Sequence, residues 1–510
     1  MAAANSDTKP VDGEPKEGEV LAVNIDETSL ADWSEEEERQ ARRKLDFALL
    51  PILALAFFAL QMDRANMGNA LTSTITQDLG VTTNQINVGN SLLNAGVVLL
   101  EIPSNVLMQR VGPRRWLSGQ IVAWGLVATL QNFVVDYPGY LVTRVLLGLC
   151  EAGFAPGALY TMSTWYKKDE SSLRISLFFL GNILANGTTS LIGAAILSMG
   201  DRYGIAGWRW LFIIEGSITV TIGVIFLLFL PPAVGNGRPL ISFGRWSYFT
   251  SRESHILSRR VLLDDPAKAH GDRVRISGAD ILETVRNPRV LLHVVITLTS
   301  AIPSISINTY APSVIKSLGY GAVRANAMAS VGCFVSVVLV VALGRLADRS
   351  GVRGPCLLLQ ALWALIAFAC LRESVDWGSG RRYAAVVFSS AANFVVHILN
   401  VGWLSVNCRR PQERSIAMAM IVMSANCGGI AANQVFRTED APLYHNAFTA
   451  CLVLSAVLVV EIVALSAWYF ASNKKLEKEG GGLVLKGTTT NDKTEGQATE
   501  ELVKRWWWTW

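Results

Sequence analysis

The chain has 510 residues, of which 51% are hydrophobic and 17% are charged, a composition too apolar for a soluble globular protein of this length. Its net charge is +4, but the basic residues are spread through short loops between apolar runs, so no nucleic-acid-binding face is expected. The seven cysteines show no CxxC pairing, and we therefore expect neither a metal site, nor a cofactor, nor a disulfide framework. The lipid bilayer is the expected environment of most of the chain.

The first 44 residues are polar and predict a tail that precedes the membrane. Ser34 followed by Glu37 forms a capping-box pattern, which predicts a short surface helix leading into the first apolar segment. The residues after 471 are again polar and predict a second tail.

Apolar windows of about 20 residues recur along the chain, each long enough to cross a hydrocarbon core of about 30 Å. Twelve spans are predicted, at 46–69, 86–108, 116–134, 140–163, 173–199, 209–230, 290–314, 325–343, 355–372, 383–406, 414–436 and 447–471. A polar, arginine-containing segment from Pro232 to Pro288 separates the sixth span from the seventh. We therefore expect an all-α membrane protein with a tail (1–44), a six-helix half (45–231), a linker (232–288), a second six-helix half (289–471) and a tail (472–510).

The orientation of the spans follows from the distribution of lysine and arginine in the loops, because positive residues collect on the cytoplasmic side. Clusters precede the first span and follow the second, fourth, eighth and tenth spans. Arg372, Arg381 and Arg382, after the ninth span, run against this pattern. The balance predicts that both termini and the linker are cytoplasmic.

A charged motif occurs once in each half. Residues Gly344 to Arg353 read GRLADRSGVR after the eighth span, and Asn105 to Arg114 read NVLMQRVGPR after the second. Glycine at 112 and 351 permits a tight reversal, and we assign Gly112, Gly344, Asp348, Arg349 and Gly351 gating or structural roles. The alternative is an ordinary charged loop.

This motif resembles the signature of the major facilitator superfamily, with a good match in the second half and a degraded one in the first. Further strings are similar to those of the fungal anion:cation symporter family, namely MDRANMGNA (62–70), LEIPSN (100–105), GWRWLFIIEG (207–216) and DAPLY (440–444). The resemblance covers about residues 40–470. It implies proton-coupled movement of a small organic anion, and it leaves the substrate open.

Charged side chains inside spans are costly and therefore mark candidate functional positions. Those in the first half are Asp63, Arg64, Glu101, Arg144, Glu151 and Glu215. The depths along the spans favour two pairs across helices, Asp63 with Arg144 and Arg64 with Glu151. The resemblance implies that Arg64 binds the substrate anion and that acidic residues of these two helices couple the proton. We assign Arg144 to substrate binding as well, and Asp63 and Glu151 to proton coupling. Structural ion pairs are the alternative, and for Glu101 and Glu215 a structural or gating role is favoured.

The second half offers neutral polar rows in place of charges. Asn393, His397 and Asn400 lie on one face of the tenth span, and Asn426 lies on the eleventh. We assign them, with Asn66 of the first span, to substrate binding. Equally, such side chains bond helices to one another.

These features predict a secondary transporter that works by alternating access, with a small organic anion, protons and the bilayer as its partners. An enzyme is not expected, because GxSxG, GxxxxGK[ST] and HExxH motifs are all missing from the sequence. We expect a monomer in the plasma membrane. An exporter of a metabolite or drug and a non-transporting nutrient sensor remain the alternatives.

Overall fold

The computed structural model describes residues 32–200, 202–264, 277–350, 352–393, 395–408 and 410–478. Within these ranges the protein is built of helices joined by short turns. The N-half contains α1 (Glu35–Ala70), α2 (Ile75–Asp78), α3 (Thr83–Val111), α4 (Pro113–Leu130), α5 (Tyr137–Glu151), α6 (Phe154–Trp165), α7 (Lys168–Leu197) and α8 (Gly207–Phe229).

The described part of the linker contains two α-helices, and the C-half contains seven. The linker helices are α9 (Ser251–Asp264) and α10 (Gly278–Arg286). The C-half contains α11 (Pro288–Ser317), α12 (Ala322–Ser350), α13 (Gly354–Arg372), α14 (Ser379–Asn393), α15 (Val395–Asn407), α16 (Pro411–Ala432) and α17 (His445–Lys478).

The helix α1 begins where the capping box predicts. The Ser34 hydroxyl accepts a hydrogen bond from the backbone N–H of Glu37 at 3.2 Å, and the Glu37 carboxylate accepts one from the N–H of Ser34 at 2.8 Å. The expected surface helix is not separate, because α1 continues to Ala70 through Pro51. Its 36 residues, at about 1.5 Å each, are longer than a hydrocarbon core of about 30 Å. The first turns of α1 therefore project beyond the membrane.

Eleven stretches of helix within the described residues are long and apolar enough to cross a membrane. They match eleven of the spans expected from the sequence. The remaining span, expected at 116–134, forms the 18-residue helix α4, whose hydropathy is lowered by Arg114, Arg115 and Gln120. A count of twelve therefore stays a prediction.

The fourth expected span is a broken helix. The helix α5 ends at Glu151, and Gly153 adopts a left-handed conformation with φ of 81° before α6 begins. A Cβ atom at residue 153 would lie 2.7 Å from Ser104 Oγ of α3, so only glycine fits here. The break makes Glu151 the last residue of α5, in the interior of the N-half.

The two halves are joined at one end of the bundle. We call the end where α1 begins the terminal face and the end where it finishes, at Ala70, the far face. Of the hydrogen bonds that the structure describes between the halves, all except the one between Asn426 and Glu101 lie between the middle of the bundle and the far face. On one edge Asn87 Nδ2 donates to Phe436 O at 2.7 Å, and Ser91 Oγ donates to Ile430 O at 3.0 Å. Near the end of α1, Lys316 Nζ donates to Thr72 O at 2.6 Å. The far face is therefore the sealed end in this arrangement.

The linker helix α9 is docked on the N-half at the terminal face. Its Ile256 and Leu257 are buried in the core of that half, and Arg260 is 0% exposed. Arg260 Nη1 lies 3.0 Å from Glu170 Oε1 and 3.6 Å from Glu38 Oε1. A buried ion-pair network thus holds the linker against α1 and α7.

We expect Arg260→Ala to release α9 from the N-half. The substitution removes the bonds from α9 to Glu170 and Glu38 and the packing of a side chain that is 0% exposed, while both carboxylates keep a second partner, Arg42 and Lys167. Limited trypsin digestion should then cut α9 after Arg252 and Arg259 faster than in the wild-type protein. The control is Arg245→Ala, which removes an exposed arginine of the same linker. Equal digestion rates for the two variants would contradict the docking role of Arg260.

The expected orientation is tested with reporters. Fusions within residues 232–288 and after Lys474 should both report the cytoplasm, because positive residues collect on the terminal face. An extracellular signal from either position would refute the assignment of both termini to the cytoplasm.

Candidate functional site

Five charged side chains gather where α1, α5 and α8 meet in the N-half. We call them the charge cluster: Asp63, Arg64, Arg144, Glu151 and Glu215. All except Arg64 are almost completely buried, with 0% to 4% of each residue exposed. The cost of burying charge makes this cluster the strongest candidate site in the described part of the chain.

Arg64 and Glu151 form the ion pair expected from the sequence. Arg64 Nε lies 2.7 Å from Glu151 Oε2, and the Glu151 side chain is 0% exposed. The Arg64 side chain is 29% exposed, and this bond is the only one that the structure describes for it. The terminal nitrogens of Arg64 therefore stay available for a second anion.

The expected pair of Asp63 with Arg144 is wrong, because no ion pair within 4 Å joins them. Asp63 Oδ2 instead accepts a hydrogen bond from Thr219 Oγ1 of α8 at 3.1 Å. The rotation of α1 turns the Asp63 carboxylate toward α8. Sequence spacing does not report that rotation.

Arg144 lies against two aromatic rings. Its guanidinium carbon is 5.2 Å from the ring centroid of Tyr140 and 5.9 Å from that of Phe212. The residue is 1% exposed, and its Nε and Nη2 atoms have no hydrogen-bond partner among the described residues. Buried donors of this kind are costly unless a ligand accepts from them. Arg144 is thus held in position with two donors ready for an anion.

Asn66 lies close to the charge cluster in sequence and is 2% exposed. Its Oδ1 atom has no hydrogen-bond partner among the described residues. Asn66 therefore has an unused acceptor, and its expected role in substrate binding stays a prediction.

Glu101 and Asn426 meet across the two halves. Asn426 Nδ2 donates to Glu101 Oε2 at 3.4 Å, between α16 and α3. Of the bonds between halves that the structure describes, this one lies furthest from the far face. The contact fits the gating role expected for Glu101 and occupies the amide of Asn426 in this arrangement.

Asn400 bonds one helix to another in the structure, which is the alternative considered for the polar row of the tenth span, and the role of that row in substrate binding stays a prediction. The residue is 0% exposed. Its Oδ1 atom lies 2.6 Å from His293 Nδ1, and its Nδ2 atom donates to His293 O and Thr297 Oγ1, each at 2.9 Å. These bonds join α15 to α11 and leave no donor of Asn400 for a substrate. His397 Nδ1 has no partner among the described residues. The structure does not describe the side chain of Asn393.

The two copies of the charged motif differ in the structure. Gly112 has φ of 95° between α3 and α4, which confirms the tight reversal expected there. In the second copy Gly344 lies inside α12 and Arg349 lies in its last, exposed turn. Gly351 and the Asp348 side chain lie outside the described residues.

The sequence did not single out Thr219 or Tyr140. Thr219 is four residues after Glu215 and so lies on the same face of α8, and Tyr140 is four residues before Arg144 on α5. This helical spacing was a usable signal, since a polar or aromatic neighbour one turn from an intramembrane charge can contact the same ligand or charge.

The fold and the charge cluster define an all-helical, multi-pass membrane protein of two helical halves, with a buried charged site inside the first half. A family model described as the Major Facilitator Superfamily matches residues 53–433. The chain therefore belongs to the major facilitator superfamily, whose members are transporters. The superfamily expected from the charged motif is confirmed, and the narrower anion:cation symporter assignment stays a prediction.

Fungal relatives match along nearly the whole chain. The MFS-type transporter cnsO of Penicillium expansum is 29% identical, with 92% of each chain covered. The major facilitator-type transporter hxnP of Emericella nidulans is 26% identical, with 93% of this chain and 92% of hxnP covered.

Solved structures share the fold at low sequence identity. The xylose transporter XylE of E. coli, in a partially occluded inward-open conformation, matches with a TM-score of 0.64 at 13% identity, covering 81% of this chain and 96% of XylE. The nucleoside transporter NupG matches with a TM-score of 0.56 at 14% identity, covering 82% of this chain and 98% of NupG. These likenesses support the two-half architecture and carry no information on the substrate.

Proposed function

We propose that this protein is a proton-coupled importer of a small organic anion, with Arg64 and Arg144 as the anion site. The observation that carries the proposal is Arg144, a buried guanidinium with two unused donors beside the Arg64–Glu151 pair. A carboxylate that accepts from both arginines satisfies these donors, and arginine favours carboxylates because its planar fork bonds both oxygens. The resemblance to fungal anion:cation symporters supports the same substrate class.

The coupling follows from the charges of the site. With no anion bound, Glu151 neutralises Arg64. A proton taken up by Glu151 removes that countercharge and frees Arg64 Nε, and the substrate carboxylate then replaces it. Proton and anion are thus bound together, and the loaded site carries no added net charge through the membrane. Asp63 is the second acid available for this exchange.

The sealed far face identifies which state of the cycle the present arrangement is. If the terminal face is cytoplasmic, as the arginine distribution predicts, the present arrangement is closed to the outside. The two halves rock relative to one another about the charge cluster. This motion converts the present arrangement, closed at the far face, into one that is open there. Release of the proton and the anion then occurs on the cytoplasmic side of the plasma membrane.

An uptake assay tests the proposal. Cells expressing the full chain receive a panel of radiolabelled monocarboxylates and dicarboxylates at several external pH values, with and without a protonophore. We expect at least one carboxylate to accumulate, more strongly as the external pH falls, and its uncharged amide analogue to be excluded. The protonophore should abolish the accumulation.

Other outcomes identify the alternatives. Export of preloaded carboxylate against its gradient would replace import by efflux. No movement of any carboxylate by a protein that reaches the cell surface would favour a nutrient sensor, and uptake that ignores pH and the protonophore would remove the proton from the mechanism.

A further inference from the structure

The role of Glu215 is not accounted for by the anion site. It lies on α8, is 0% exposed, and neither of its carboxylate oxygens has a hydrogen-bond partner among the described residues. The sequence favoured a structural role for this residue, but a structural carboxylate inside a membrane protein is expected to form an ion pair or hydrogen bonds.

Glu215 lies one turn from the hydroxyl that contacts Asp63. Thr219 follows Glu215 by four residues, about 6 Å along the axis of α8, and donates to Asp63 Oδ2. The other oxygen of Asp63, Oδ1, has no partner among the described residues. Two carboxyl groups with unused oxygens therefore face the same interior region between α1 and α8.

Among the described residues, no positively charged side chain bonds to Glu215. Asp63 of α1 lies on the same side of α8, because it bonds to Thr219 one turn further along that helix. On the side of α4 the backbones approach so closely that a Cβ atom at Gly216 would overlap Thr129. Arg144 and Glu151 of α5 form no hydrogen bond or ion pair with Glu215. A negative charge on Glu215 would thus be both unpaired and sealed from water.

We propose that Glu215 holds a proton in the present arrangement and that its carboxyl group is a proton site distinct from the anion site. A carboxylate that is sealed from water and has no donor or counter-ion among the described residues is unstable, so this group keeps its proton. Asp63 differs, because its Oδ2 atom accepts the Thr219 hydrogen bond. When a change of arrangement admits water to Glu215, the carboxyl group gives its proton to that water and becomes a carboxylate that can take up the next proton.

Infrared spectroscopy of the purified full-length protein in a maltoside detergent, which has no ester carbonyl to mask the band, tests this directly and needs no substrate. A protonated carboxylic acid has a carbonyl stretching band separate from the bands of carboxylates. At neutral pH the wild-type protein should show this band, Glu215→Gln should lose it, and Glu215→Asp should shift it. Glu461→Gln, which alters an intramembrane carboxyl bonded to Thr299, should keep it. Should Glu215→Gln fail to fold, the shift in Glu215→Asp decides.

The proposal is overturned if the wild-type protein lacks the band or if Glu215→Gln retains it unchanged. Loss of the band in Glu461→Gln alone would place the proton on Glu461 instead, and this result would also overturn the proposal for Glu215.

The role of Glu215 in transport rests on the proposed function and has its own assay. With the carboxylate that the panel identifies, Glu215→Gln should reduce accumulation driven by a pH gradient to the level seen with a protonophore. Exchange of internal for external substrate should persist. If the wild-type protein itself shows no uptake driven by pH, the proposed function fails while the infrared result stands. If Glu215→Gln accumulates substrate as the wild-type protein does, the proton role of Glu215 fails and the function stands.

Discussion

Arg64→Ala should abolish uptake of the anion while surface expression stays close to the wild-type level. The substitution removes the guanidinium that pairs with Glu151 at 2.7 Å and that offers its terminal nitrogens to the substrate. Truncation of one partner of a hydrogen-bonded charge pair at a binding site costs about 2–5 kcal/mol of binding free energy, which corresponds to at least about a 30-fold loss of affinity for the anion. Arg64→Lys should rescue poorly, because a point charge cannot form the two parallel bonds of a guanidinium with a carboxylate.

Arg144→Ala should be equally inactive, and the comparison of the two arginines is informative. Arg144 has no ion-pair partner within 4 Å among the described residues, so its removal leaves no carboxylate unpaired. A loss of uptake in Arg144→Ala therefore reports the anion site directly.

Two controls separate substrate binding from folding. Arg381→Ala removes an exposed arginine at the start of α14 and should transport as the wild-type protein does. The double variant Arg64→Ala with Glu151→Gln removes the unpaired carboxylate, so it should restore any stability lost in Arg64→Ala without restoring uptake. Full activity of Arg64→Ala with normal pH dependence would exclude this residue from the mechanism.

Glu151→Gln should separate exchange from accumulation. Glutamine keeps the shape and hydrogen bonding of the side chain but fixes it in a neutral form, as permanent protonation would. The variant should bind the anion and exchange internal for external substrate. It should not concentrate substrate in response to a pH gradient, because the unloaded carrier cannot release a proton and re-form the pair with Arg64. Asp63→Asn should behave in the same way if Asp63 also carries the proton.

The assay loads membrane vesicles with unlabelled substrate for exchange and imposes a pH gradient for accumulation. Glu373→Gln, which changes an exposed carboxylate paired with Arg372, should match the wild-type protein in both modes. The coupling proposal is falsified if Glu151→Gln and Asp63→Asn both still concentrate substrate. A folded variant that has lost exchange as well would make that acid a direct ligand of the substrate.

Local signals predicted the helices well, whereas contacts between helices were predicted only in part. The capping box at Ser34, the reversal at Gly112 and the apolar spans depend on neighbouring residues, so they are readable from sequence. The Arg64–Glu151 pair was predicted because two opposite charges at equal depth in a membrane are expected to form an ion pair. The hydrogen bond between Asp63 and Thr219 depends on how α1 is rotated, which spacing does not fix.

The same limit applies to the polar residues. Asn400 looked like a substrate ligand because hydrogen bonding across a cavity and between packed helices uses the same side chains. Only the position of His293 on a helix distant in sequence distinguishes the two. The break after Glu151 was missed because the apolar run continues through it, and the requirement for Gly153 comes from Ser104 of another helix.

The edge of the far-face seal between α3 and α16 constrains the two halves unequally. In three of its hydrogen bonds the N-half provides the side chain, from Asn84, Asn87 or Ser91, and the C-half provides only main-chain atoms. Main-chain atoms are present whatever residue occupies the position. A substitution of Asn84, Asn87 or Ser91 therefore removes a hydrogen bond of this edge, whereas the carbonyl groups of residues 430 and 436 persist through any change of side chain.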